Sequence, residues 1–122
     1  MSRGRLRLAD YLAHILEAIE RIGQYTDDMV EVTFQENRMV QDAVIRNLEI
    51  IGEASNNIDT HYREFADANP ELPLTSAYQM RNAVAHGYFK VDLEIVWKTI
   101  HVGLPELYSQ VKKCLQTLQA QD

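Results

Sequence analysis

A single cysteine, Cys114, stands in a chain of 122 residues, so no disulfide can form within it. It falls at an apolar helical position, which suits a core thiol better than a nucleophile. Glycine and proline are scarce, at 5 and 3 copies. A many-turned β fold needs more breakers than that, whereas long helices need few. Basic charge is not in excess either, for the formal net charge is -6. Proteins that coat duplex nucleic acid carry basic surfaces. The balance here therefore argues against broad, non-specific DNA binding, while leaving room for a local basic cleft. The one dense basic run, Arg3, Arg5 and Arg7, reads as a solvated helix face or a flexible end. The N-terminal stretch holds no uninterrupted apolar segment suited to a signal peptide. No run approaches the length of a membrane span. Together these absences predict a cytoplasmic protein with no membrane partner.

Hydrophobic residues make up 46% of the chain and charged residues 25%, the balance of a globular protein. The length fits one domain over residues 1–122. Four segments repeat apolar residues in steps of four and three. Leu8, Leu12, Ile15, Ile19 and Ile22 mark a first helix over about residues 5–24, with Gly23 near its end. Thr26 or Asp27 can then cap a brief helical turn. A second helix is predicted from about Arg38 to Thr60, burying Val40, Val44, Leu48, Ile51 and Ile58. Its polar stripe runs through Asp42, Arg46, Glu49, Glu53, Asn56 and Thr60. Ordinary exposure explains such a stripe, and Arg46, Glu49 and Glu53 are spaced for intrahelical pairs. Gly52 sits in mid-helix at a cost of about 1 kcal/mol against Ala, which close approach of another backbone would justify.

Residues 61–75, with Pro70 and Pro73, read as a loop. A third helix starts at Thr75 or Ser76 and stops at Gly87, with Ala77, Met80 and Val84 as its modest core side. The last helix carries Leu93, Trp97, Ile100, Leu104, Leu107, Val111, Cys114 and Leu118, with a kink expected where Gly103 and Pro105 interrupt it. The predicted fold is all-α: an antiparallel four-helix bundle with a short extra helix or a long loop.

The third helix is the informative one. Away from its core side it presents Arg81, Asn82, Ala85 and His86. Gly87 is suited to end the helix. That places His86 at the negative end of the macrodipole, where the imidazolium is favoured. A histidine near neutrality serves as general base or acid, and an arginine beside it braces a phosphate. Such a pair suits attack of a ribose 2′-hydroxyl on the adjacent phosphate, a reaction that needs no metal. Residues five apart point roughly 140° apart on an ideal helix. They converge only at the helix end or across a two-fold axis. The short motif is equally met by a capping histidine and a surface arginine.

A longer pattern shifts the weight between them. The stretch RNAVAHGYFKVDLEIVWKTI (81–100) resembles the signature of HepT-type HEPN proteins, R-x-x-x-x-H-x-Y with Asn after the Arg, met here by Arg81, Asn82, His86 and Tyr88. QDAVIRNLEIIGEASNNI (41–58) resembles the preceding long helix of the same family. The resemblance covers nearly the whole chain. It implies a HEPN-like bundle that dimerises so that two motif copies form a metal-independent endoribonuclease acting on RNA, with no cofactor. It further implies the toxin of a toxin–antitoxin pair, whose partner is an MntA-like nucleotidyltransferase that adenylylates Tyr88. By this carry-over Arg81 and His86 are catalytic and Asn82 supports them. One departure is Ser76-Ala77-Tyr78, where the family often has a Trp just before the motif. The alternative function is a non-catalytic HEPN module that docks a nucleotidyltransferase or its nucleotide.

Other features carry less. Asp10 and His14 lie four apart on the first helix, but no second pair completes a metal site. His61 and His101 stand alone, no Gly-rich phosphate loop occurs, and Phe89 and Trp97 read as core or interface residues.

Overall fold

The computed structural model describes residues 3–86 and 92–121; the side chains of residues 3, 5, 6 and 83–86 lie outside that description. Among the described residues the regular structure is helical throughout: α1 (Arg3–Thr26), α2 (Glu31–Glu36), α3 (Arg38–His61), α4 (Arg63–Ala68), α5 (Leu74–His86), α6 (Leu93–Lys98), a π-helical turn (Thr99–Gly103) and α7 (Leu104–Ala120). The all-α bundle expected from the sequence is the observed architecture.

The apolar stripes become the core. Leu8, Leu12, Ile15, Ile19 and Ile22 of α1 are all buried, as are Val44, Leu48, Ile51 and Ile58 of α3. Each fully buried side chain of this size contributes about 1.5–3 kcal/mol relative to exposure. Val40, expected in the core, is only half-buried because it lies in the first turn of its helix. The long helices run antiparallel. Tyr11, early in α1, meets Tyr62, just past α3, at a ring separation of 6.2 Å. Glu20, late in α1, accepts a 2.9 Å hydrogen bond from the hydroxyl of Tyr108, early in α7. Helix α5 packs chiefly on α3.

Local chemistry sets the helix ends. Asn37 caps α3, its Oδ1 accepting from the Val40 N–H at 3.0 Å. Asp92 caps α6, accepting from Glu94 and Ile95 at 3.0 and 3.3 Å. These caps satisfy amide donors that have no partner inside the helix.

Two expectations need correction. Neither Thr26 nor Asp27 caps the short helix. Thr26 is buried and its hydroxyl donates back to the Ile22 carbonyl at 2.8 Å, which carries α1 onward to Thr26. The short helix α2 starts later, where the Thr33 hydroxyl closes the Val30 turn by accepting its N–H and donating to its carbonyl. The 61–75 loop contains α4, a helix with no fully buried residue and hence no apolar stripe to announce it. At Gly103 and Pro105 the interruption is a π turn, in which the Leu104 N–H reaches the Thr99 carbonyl five residues back. Proline has no N–H and its ring crowds the carbonyl four residues earlier. Widening the preceding turn relieves that crowding.

Candidate active site

The sequence motif falls on α5. The helix follows Pro73, whose carbonyl accepts the Ala77 N–H at 3.0 Å. It is anchored by Leu74, 4% exposed, and half-buries Ala77 and Met80 against the core. Its last residue is His86, as the following glycine led us to expect. Val84, also expected on the core side, has its side chain outside the described residues.

Arg81 is the best-defined member of the site. Its side chain is half-buried, and Nη1 donates a 2.9 Å hydrogen bond to Oδ1 of Asn82. Its Nε is buried, with no hydrogen-bond partner among the described residues. The stem of Arg81 lies directly on α3. A Cβ placed on Gly52 would overlap Cβ of Arg81, stand 2.7 Å from its Cγ and 3.1 Å from the Ala77 carbonyl. Close approach of α5 therefore accounts for the mid-helix glycine, whose sequence context had flagged the position without naming the neighbour.

The structure thus brings Arg81 and Asn82 together and puts His86 on the same helix. The His86 side chain and all of Gly87, Tyr88 and Phe89 lie outside the described residues. Of the polar stripe on α3, Arg46 and Glu49 approach to 3.9 Å on the surface, a contact worth about 0.3–0.5 kcal/mol at this spacing.

Two polar residues of α3 went unremarked in the sequence. Asn47 and Ser55 are 5% and 0% exposed, and Asn47 Oδ1 and Ser55 Oγ lack hydrogen-bond partners among the described residues. Their signal was the apolar register itself, because they fall beside Leu48 and Ala54 in the stripe from Val44 to Ile58.

A cavity of about 320 Å³ opens on the core side of α5, between Leu48 and Ile51 of α3, Ala77 and Met80 of α5, and Leu104 and Leu107 of α7. Its polar lining includes the exposed carboxylates of Glu71 and Glu106. Acidic walls repel phosphate, so this is not where a nucleic-acid backbone fits. Asp10 and His14 gain no third ligand: among the described residues, no three His, Cys, Asp or Glu side chains cluster as a metal site would require. Trp97 packs on Phe34 at 5.3 Å and on His101 at 4.3 Å, as a partly buried core residue.

The all-helical bundle, with Arg81, Asn82 and His86 carried on one helix, is of the HEPN-like kind that the sequence resembles. Residues 15–114 match the family model described as "Ribonuclease HepT-like", and the chain belongs to that family. It is 40% identical over 104 residues to "Probable ribonuclease HepT" of Thermococcus cleftensis, covering 85% of this chain and 92% of that one. It is 36% identical over 106 residues to "Putative RNase TTE0752" of Caldanaerobacter subterraneus subsp. tengcongensis, covering 87% and 92%. A third relative, "Gamma-glutamylcyclotransferase and putative RNase MJ0434" of Methanocaldococcus jannaschii, is 39% identical over 108 residues. There the alignment covers 88% of this chain but 47% of the relative, about half its length. No solved structure is a significant match. Among the described residues, no helix is long and apolar enough to cross a membrane.

Proposed function

We propose that this chain is a single-domain, metal-independent endoribonuclease of the HEPN type and the toxin of a toxin–antitoxin pair. The observation that carries the reading is Arg81. Its stem is fixed on α3, its Nε is buried with no partner among the described residues, and its Nη1 is oriented by Asn82. A guanidinium held this way is prepaid in rotamer entropy and offers its remaining terminal N–H groups to a phosphate as a fork.

In the proposed reaction His86 takes the proton from a ribose 2′-hydroxyl. The 2′-oxygen attacks the adjacent phosphorus and the bond to the 5′-oxygen breaks. An imidazolium returns a proton to that leaving oxygen, so a 2′,3′-cyclic phosphate and a 5′-hydroxyl result. Arg81 stabilises the charge that builds on the phosphoryl oxygens. The nucleophile belongs to the substrate, which is why no metal is required to make one. Two copies of α5 facing one cleft across a two-fold axis would let Arg81 and His86 converge, and we assign the active species as a homodimer on that ground. The family resemblance supports Tyr88 as the residue that an MntA-like nucleotidyltransferase adenylylates. The added phosphate would compete for Arg81. A cytoplasmic site of action fits this system.

The test uses a labelled single-stranded oligoribonucleotide. Cleavage should leave a 2′,3′-cyclic phosphate, survive chelator, and stop when the nucleotide 5′ to the cut is 2′-deoxy. His86→Ala and Arg81→Ala should each lose it, and Arg81→Lys should recover little because lysine lacks the fork. Absence of cleavage by the wild-type protein would instead support a non-catalytic module that docks the nucleotidyltransferase.

A further inference from the structure

We propose that Gly52 is a positioning residue for the cleavage reaction: its missing side chain admits the Arg81 stem onto α3 and so sets where the guanidinium stands. The inference rests on the assignment of Arg81 above, and it adds a residue from a different helix that touches no substrate. Gly52 is buried, and the first two carbons of the Arg81 side chain occupy the volume that any other residue at 52 would claim. The neighbouring Ala77 carbonyl closes the same space from one turn earlier in α5. An added methyl therefore meets backbone-proximal atoms on both turns, not the free end of a flexible chain. Rotating Arg81 about its outer bonds cannot relieve the overlap, because Cβ moves only with the helix.

Non-bonded carbons rest about 3.5–4.0 Å apart. Accommodating Gly52→Ala requires α5 to retreat from α3 by about 1.5 Å. The Arg81–Asn82 hydrogen bond is local to α5 and travels with it. The internal order of the pair should survive while its reach toward a phosphate changes. A misplacement of about 1 Å at a catalytic group lowers turnover by about 100-fold.

The contrast with Gly23 supplies the control. Gly23 also lies inside a helix, yet a Cβ there has no neighbour within 4 Å. Gly23→Ala should leave turnover unchanged.

The experiment compares Gly52→Ala, Gly23→Ala and Arg81→Ala on a labelled single-stranded oligoribonucleotide. Folded Gly52→Ala should lose about 100-fold in kcat with KM changed by less than about threefold. Its pH–rate profile should be unshifted, since no titrating group is touched. Wild-type kcat in folded Gly52→Ala would overturn the inference while leaving the role of Arg81 intact. Undiminished cleavage by Arg81→Ala would instead overturn that role. If Gly52→Ala does not fold, the wild-type protein still decides. A pinned stem with buried Nε predicts one Arg81 Nε–H resonance that exchanges slowly with water. Rapid exchange from an averaged side chain would refute the proposed positioning.

Discussion

Phe34→Ala tests how the short helix α2 is held against the segment that follows the motif. Phe34 is 0% exposed and is among the largest fully buried side chains, although its helix has only six residues. Its ring meets Trp97 of α6 at 5.3 Å. A helix this short has almost no stability of its own, so α2 stays in place chiefly through that side chain, helped by the 2.8 Å hydrogen bond from Gln41 Nε2 to the Phe34 carbonyl. Truncation removes the buried ring and leaves a cavity, at about 3–5 kcal/mol. The aromatic pair, about 0.5–1.5 kcal/mol, is already part of that figure. With a urea dependence of about 2 kcal/mol per molar, a loss of about 4 kcal/mol lowers the midpoint by about 2 M. The chain contains one tryptophan, and it is the residue in contact. Urea unfolding followed by Trp97 fluorescence and by helix circular dichroism, at equal protein concentration, therefore reads the site and the whole fold together. Phe34→Leu should cost much less than Phe34→Ala because it keeps most of the volume. A midpoint shift under about 0.5 M for Phe34→Ala, with unchanged Trp97 emission, would refute the argument that this contact anchors α2.

Gly23→Ala should stabilise the protein by about 0.5–1 kcal/mol, because the helix gains a better former with nothing to clash with; a lower thermal midpoint would contradict this. Asp92→Ala should cost about 1 kcal/mol by removing the α6 cap, and Asp92→Asn should restore most of it, both checked by urea unfolding. Burial raises the Cys114 thiol above its ordinary pKa, and the charge of Glu71 adds to the effect. The folded state therefore disfavours the thiolate. This contribution to stability is complete below the unfolded thiol value and is lost as pH rises through the folded one. Native Cys114 should react slowly with a disulfide reagent at mildly alkaline pH and quickly once urea unfolds the chain; equal rates would show that the thiol is not shielded.

Much of this protein was legible from spacing alone. The four-three repeats of Leu8 to Ile22 and Val44 to Ile58 determined both which residues are buried and where α1 and α3 lie, because a helix that must bury one face writes that face into its period. The caps Asn37 and Asp92 went unread, although they stand at boundaries that the spacing had placed. The motif Arg81, Asn82, His86 and Tyr88, with the block at 41–58, pointed to the family that residues 15–114 match. Spacing was silent where no periodic face exists. Helix α4 buries no residue completely, and α2 depends on one phenylalanine meeting a tryptophan 63 positions later, so neither left a stripe to read. The π turn before Pro105 was legible as an interruption but not as a particular geometry, since relief of a proline clash depends on how the flanking helices are held.

The decisive tertiary fact is the meeting of Gly52 and Arg81. The sequence by itself marked Gly52 as costly in mid-helix and Arg81 as a candidate phosphate ligand. It contained nothing to join the two, because they are 29 positions apart and only the packing of α5 on α3 brings them into contact. Packing at this range is set by the fit of two whole helix faces. A single overlapping atom on either face is enough to move a guanidinium, and no periodicity along one strand of sequence records that constraint.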